Sequence, residues 1–314
     1  MLLSRGMKML DSQVNSHLEP KSIWRSIRDS FRSYLALTKP RIILLLLITA
    51  TSSMFLAARG FPGFTLWGLV ILGGSLGAGG ANALNHYLDR DLDERMERTR
   101  RRPIPSLRVK PFTALIFGIT LNIVAFAILA LWVNLLSAFL TLSATLFYVF
   151  VYTLWLKRST PQNIVIGGAA GAVPPLVGWA AVTGGIDLPA LYLFTIIFFW
   201  TPPHFWALAL LLQGDYAQAG VPMLPVVRGV SHTTRSIVLY VLVLLAVTTL
   251  FYTTQAVGWI YLVGSSAAGA LFLLLTLRLL RTSTLRHARQ VYLYSLFYLA
   301  GLFSLIVLDT TLAV

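Results

Sequence analysis

Apolar residues fill this chain in runs long enough to cross a bilayer, and polar residues collect in the gaps between them. Nine such runs stand at approximately 41–58, 64–87, 112–133, 136–156, 163–183, 188–212, 236–254, 257–279 and 291–313. Each is close to the ~20 residues an α-helix needs to span the hydrocarbon core. The runs are apolar on every helical face and do not alternate, which argues against membrane strands. The sixth contains Pro202 and Pro203, a pair expected to kink the helix and free backbone carbonyls. The pattern predicts an all-α membrane protein, with one bundle over residues 37–314 and a polar N-terminal tail over 1–36. Within the tail, SIWRSIRDSFRSYLAL (22–37) gathers Ile23, Trp24, Ile27, Phe31, Tyr34 and Leu35 near one face, with Arg25, Arg28 and Arg32 elsewhere. That predicts an amphipathic helix lying in the membrane interface. A mitochondrial presequence is the rival reading, and Asp11, Glu19 and Asp29 count against it. No cleavable secretory signal is visible.

Composition agrees: 57% of residues are hydrophobic and only 11% charged, against roughly 25% charged in a soluble domain. The placement of charge sets an orientation. Of the 25 Lys and Arg, all but Arg59 fall before the first run or in the loops after runs two, four, six and eight. The positive-inside rule then puts those loops and the N-terminus in the cytoplasm. Nine spans put the C-terminus outside. The short N-terminus and clean charge asymmetry suggest a bacterial plasma membrane. The net charge of +14 is topological and calls for no nucleic acid. With no cysteine in the chain, disulfides, thiol nucleophiles and Cys-ligated metals are excluded.

The most informative polar stretch is NHYLDRDLDERMERTRRRP (85–103), where the second run ends. Asn85, Asp89 and Asp93 are spaced four apart, so on a helix their oxygens share one face. Asn85 and Asp89 continue an apolar span, where ionisable groups default to a functional reading. Mg2+ takes oxygen ligands and usually shares them with substrate phosphates. Six arginines in the same stretch, Arg90, Arg95, Arg98, Arg100, Arg101 and Arg102, suit phosphate oxygens. The stripe therefore suggests a metal-bridged diphosphate site; the bland alternative is a solvated helix end. Arg98 and Arg102 share a face if the helix continues to Pro103. Asp91 lies off the stripe and should pair with an arginine.

Four cations lie at the same height: Lys39 and Arg41 at the entry to the first run, Lys157 and Arg158 at the exit of the fourth. Each pair is either a topological anchor or a contact to diphosphate. A second polar focus, TPPHFWALALLLQGDYAQAGVPMLPVVRG (201–229), carries Asp215 and, inside the sixth run, His204. His204 is either a satisfied core residue or a contact to substrate or haem. Small-x-x-x-small pairs Gly73/Gly77 and Gly167/Gly171 let helices pack closely.

Together these residues resemble the UbiA-type intramembrane prenyltransferases, and within them the haem-modifying branch. The resemblance covers about nine-tenths of the chain. It rests on NHYLDRDLDERMERTRRRPIPS, with its M-x-R-T-x-x-R-P continuation, and on TPQNIVIGGAAGAVPPLVGW and the 201–229 block. It implies a nine-transmembrane-helix bundle around a central lipid-open cavity, Mg2+ as cofactor, farnesyl diphosphate as donor and haem b as acceptor. The product would be haem O, with haem A synthase or terminal-oxidase assembly as associates. By the matched positions, Asn85, Asp89 and Asp93 would hold Mg2+ and diphosphate, Arg98 and Arg102 would support them, and Asp215 would add a metal contact. One departure stands out: the second D-x-x-x-D of many relatives is incomplete, with Leu211 and Ala219 flanking Asp215 at that spacing.

The resemblance also frames the chemistry. Loss of diphosphate leaves an allylic cation, which Trp206, Phe205, Tyr87 and Tyr216 are placed to shelter. Two competing readings are a prenyltransferase with a quinone-precursor acceptor and a non-enzymatic cation or haem transporter. The latter is disfavoured because Asp187 and Asp309 are the only acids at the far end.

Overall fold

The structure, a computed structural model, describes residues 23–312; the tail before Ile23 lies outside them. Every regular element among the described residues is helical, and nine helices are long and apolar enough to cross a membrane. In chain order the elements are α1 (Ile23–Thr38), α2 (Pro40–Ala58), α3 (Phe64–Leu88), α4 (Arg90–Arg95), α5 (Pro111–Trp132), α6 (Leu135–Ser159), α7 (Asn163–Thr183), α8 (Leu188–Leu211), α9 (Gln213–Gln218), α10 (Leu224–Thr254), α11 (Trp259–Thr282) and α12 (Leu285–Leu312). The spans are α2, α3, α5 to α8 and α10 to α12. With 19 residues, the shortest, α2, reaches roughly 28 Å at 1.5 Å per residue, close to the bilayer core.

The bundle closes because neighbouring helices meet around the ring. Helix α3 packs along α5, α8 against α7, α10 and α12, and α2 against α7 and α12. Glycine sets the closest crossings. A Cβ on Gly80 of α3 would stand 2.7 Å from the Gly118 carbonyl of α5, and one on Gly178 of α7 would run into the Ala50 carbonyl of α2. Gly73 and Gly77 abut Leu129 and Thr141, whereas Gly171 faces open space.

Two boundaries differ from the expectation. The seventh span begins at Leu224 rather than 236, because helical hydrogen bonding extends beyond the apolar band through LPVVRGVSHTTR. That extension is bent at Gly229, whose φ of 77° is non-helical. The ninth begins at Leu285 for the same reason. Helix α8 runs unbroken through Pro202 and Pro203. In the second half of α6, Phe147–Leu156 is wound as a π-helix, a rare wide form often found at functional sites.

Candidate active site

Where α3 ends, Asp89 leaves helical geometry slightly (φ −88°, ψ 6°) and α4 begins. The hydrogen-bond ladder survives this joint: Asp89 N–H donates to Asn85 O at 2.9 Å and Asp93 N–H to Asp89 O at 2.8 Å. The four-residue spacing therefore holds, and Asn85, Asp89 and Asp93 are 3%, 0% and 2% exposed. Buried carboxylates must be paired, and here Asp89 and Asp93 each find a cation, while a third meets the neutral Asn85 amide. Lys157 Nζ donates to Asp89 Oδ2 at 2.5 Å, Arg102 Nη1 to both Asp93 oxygens at 2.8 and 2.9 Å, and Lys39 Nζ to Asn85 Oδ1 at 2.8 Å. Asn85 Nδ2 donates to Asp89 Oδ2 (2.7 Å) and Thr153 Oγ1 (3.2 Å). Among the described residues Asp89 Oδ1 is buried with no hydrogen-bond partner; Arg158 stands 3.9 Å from it while gripping Asp91 through two 2.7 Å bonds.

Electrostatics follow from this crowding. Burial, with Arg102 and Lys157 beside it, lowers Lys39 to about 7. Burial alone would raise the Asp93 carboxyl, but His86 and Arg102 outweigh it and hold it below its ordinary value. Arg158 holds Asp91 below its ordinary value as well.

The expected continuation of the helix to Pro103 does not occur. Helix α4 stops at Arg95, Met96 is extended, and residues 97–102 form turns. Thr99 Oγ donates to the Asp93 carbonyl at 2.9 Å, which folds the strand of turns back and delivers Arg102 to Asp93. Arg98 therefore does not share a face with Arg102. It is exposed, near Tyr216. Arg41 is exposed and stands apart from the acids. Asp215, on α9, is half-buried. The intervening Tyr216 is buried within the fields of Arg98, Arg102, Asp215 and Asp89, so the two polar segments face one another across it. Burial raises its phenol. His204 is a packed core residue. Its Nδ1 meets Ser295 Oγ at 2.7 Å, and its ring stacks between Trp200 and Tyr292.

Of the expected aromatic walls, Tyr216 lies at the site. Trp206 instead packs against Tyr240, and Tyr87 holds the Arg90 guanidinium 4.7 Å from its ring centroid. The aromatics the sequence reading missed are Tyr148 and Tyr152, stacked at 5.5 Å within the field of Asp89. They sit on the π-helical turn with Thr153, whose hydroxyl donates to Tyr148 O five residues back. A run of aromatic residues ending in Lys157-Arg158 was the available signal. At the opposite end, Asp187 accepts from Trp179 Nε1 at 3.0 Å, and Asp309 caps α11 through the Gly258 and Tyr261 amides. Both of these acids have structural partners.

The donor set suits a hard cation shared with a ligand. Asn85 Oδ1 and the Asp89 and Asp93 carboxylates are oxygen donors, and of these Asp89 Oδ1 makes no hydrogen bond among the described residues. Among the described residues no group of three His, Asp or Glu side chains is placed to hold a metal ion by itself.

Fold and site together define an integral membrane helical bundle with a buried, cation-ringed oxygen cluster near one membrane boundary. The UbiA prenyltransferase family profile matches residues 46–302. The chain belongs to that family. It is 54% identical over 278 residues to the protoheme IX farnesyltransferase of Roseiflexus sp. (strain RS-1), covering 88% of this chain and 52% of that protein. The chain thus spans about half the length of this relative. To the protoheme IX farnesyltransferase of Gloeobacter violaceus it is 50% identical, covering 90% of this chain and 92% of that one. Among solved structures, a digeranylgeranylglyceryl phosphate synthase superposes with TM-score 0.75 at 19% identity, over 90% of this chain and 99% of the other. A UbiA homologue from Archaeoglobus fulgidus bound to GPP and Mg2+ does so with TM-score 0.63 at 16% identity, over 87% and 99%.

Proposed function

We propose that this protein transfers the farnesyl group of farnesyl diphosphate to a vinyl group of haem b, with addition of water, giving haem O and diphosphate. The observation that carries the reading is the buried Asn85–Asp89–Asp93 cluster with three cations and one uncommitted carboxylate oxygen, in a chain half-identical to farnesyltransferases of haem. Mg2+ held by Asn85, Asp89 and Asp93, with Asp215 facing it, would supply charge neutralisation for the diphosphate. Lys39, Lys157 and Arg102, already gathered at the cluster, would face the phosphate oxygens where negative charge develops, which stabilises the transition state. The farnesyl C1–O bond breaks and its electron pair leaves with diphosphate. Tyr148, Tyr152 and Tyr216 shield the allylic cation from water. The vinyl π electrons form the new bond to C1. Water adds to the resulting cation beside the porphyrin ring and loses a proton, which yields the hydroxyethylfarnesyl substituent. No protein nucleophile is required, in keeping with a chain lacking cysteine.

A mass spectrum of haems extracted after incubating membranes containing the protein with haem b, farnesyl diphosphate and Mg2+ tests this. The expected result is a haem heavier by a farnesyl group plus water, absent with EDTA. Unchanged haem b alongside prenylation of a quinone precursor would move the acceptor assignment and leave the diphosphate site standing.

A further inference from the structure

Helix α1 is the longest described helix that is not a span, and only Lys39 separates it from α2. Its inner face is settled by packing. Leu37 is fully buried with Ala83 of α3, Ile104 and Val109 of the 103–109 turn, and Ala114 of α5; Tyr34 meets Phe117 edge-on at 5.0 Å. Its outer face is not. Ile27, Phe31 and Leu35, at successive four-residue steps, are 55%, 66% and 45% exposed. On a 100° helical wheel the exposed Arg28 and Arg32 border that stripe, and Asp29 falls on the far side of them. A helix tied by one residue to a membrane span stays at the bilayer boundary, and an apolar stripe edged by arginines matches acyl chains beneath anionic headgroups.

The end of α1 is also wired into the acid cluster. Asn82 Nδ2 donates to the Thr38 carbonyl at 2.9 Å. The next residue, Lys39, takes a left-handed conformation (φ 53°) that turns the chain into α2, and its Nζ reaches Asn85. The turn that buries Leu37 directly follows Arg102, the partner of Asp93. How α1 sits therefore fixes where Lys39 sits.

We propose that α1 is an anchor for anionic lipid, with Ile27, Phe31 and Leu35 inserted at the headgroup–acyl boundary and Arg28 and Arg32 on lipid phosphate, and that this docking holds Lys39 on the diphosphate site. The docking stands on its own; its consequence for diphosphate rests on the prenyl-transfer reading above.

Because the chain has no cysteine, Phe31→Cys and Asp29→Cys each carry a single environment-sensitive fluorophore in the full-length protein. The protein is reconstituted in phosphatidylcholine vesicles with or without phosphatidylglycerol, with brominated lipid as quencher. The label at position 31 is expected to be quenched, more so with phosphatidylglycerol, and the label at 29 not. Adding Arg28→Gln/Arg32→Gln removes the phosphatidylglycerol dependence. In the same vesicles, the equilibrium Kd for farnesyl diphosphate with Mg2+ rises several-fold in the double arginine variant. Equal solvent exposure of both labels, or quenching at 31 indifferent to phosphatidylglycerol, overturns the anchor. Unchanged Kd despite lost quenching overturns the link to Lys39. Normal quenching in a protein that binds no farnesyl diphosphate in any vesicle leaves the anchor standing and defeats the prenyl-transfer reading.

Discussion

Asp89 and Lys157 carry opposite demands at one position. The Asp89 side chain is 1% exposed and that of Lys157 is 16% exposed, so neither charge is well solvated alone. Removing one member of a buried pair strands the other at a cost of about 3–5 kcal/mol. Lys157→Met should therefore lower the thermal midpoint in detergent clearly, and adding Asp89→Asn should restore most of it. If the double variant is no more stable than Lys157→Met, the pair is not the source of the loss. Activity should follow the other logic. Asp89→Ala and Asp93→Ala should each cut turnover by on the order of a hundredfold or more, as loss of a group acting on transition-state charge does, while the protein remains in the membrane. Near-normal turnover in either variant would defeat the assignment of the stripe. The stripe was legible because its four-residue spacing survives the joint between α3 and α4, where the backbone hydrogen bonds continue. Lys157 and Thr153 reach it from a span, each 68 residues from its partner, and a single sequence carries no signal for that register. His204 shows the converse: its chemistry invited a ligand, and Ser295, 91 residues on, satisfies it instead.

At the scale of the element, the π-helical turn of α6 decides which side chains meet the acids. Widening the helix brings Thr153 over Tyr148, five residues back, and the bond from its hydroxyl to Tyr148 O is the local signature. The stacked Tyr148–Tyr152 pair needs room, which Gly167 of α7 provides: a Cβ there would overlap the Tyr152 ring. Gly171, one turn on, faces nothing within 4 Å. Gly167→Ala should thus destabilise by about 1–3 kcal/mol, the usual cost of overpacking, and weaken turnover by moving the tyrosines. Gly171→Ala should do neither. Thermal unfolding and turnover of the two variants side by side provide the check, and equal behaviour would deny the turn its role. Apolar patterning located all nine spans, yet it misplaced the start of α10 by twelve residues. Hydropathy records where lipid begins, whereas helix ends are set by backbone hydrogen bonds and by Gly229. The same limit explains the false continuation through residues 96–102, where Thr99 captures the Asp93 carbonyl and folds the chain back.

For the whole molecule, charge predicts an orientation. Among the described residues, the acid cluster, α1, the 96–110 turns and α9 all lie at the end of the bundle that holds the Lys and Arg residues other than Arg59. Inverting the protein would carry that basic set across the membrane, against the bias that governs insertion. The substrate side is therefore expected to be cytoplasmic, where a soluble diphosphate product can leave without crossing lipid. Phe64 and Leu285 sit at opposite ends of the bundle and are 80% and 64% exposed. Single cysteines there, in a chain with none of its own, allow a direct reading with a membrane-impermeant maleimide. Leu285→Cys should label in inverted vesicles and stay protected in intact cells, and Phe64→Cys should do the reverse. The opposite pattern would place the acids outside and force the diphosphate to be supplied from that face. Labelling of both cysteines from both sides would mean a chain inserted in two orientations, with only one of them able to meet a cytoplasmic substrate.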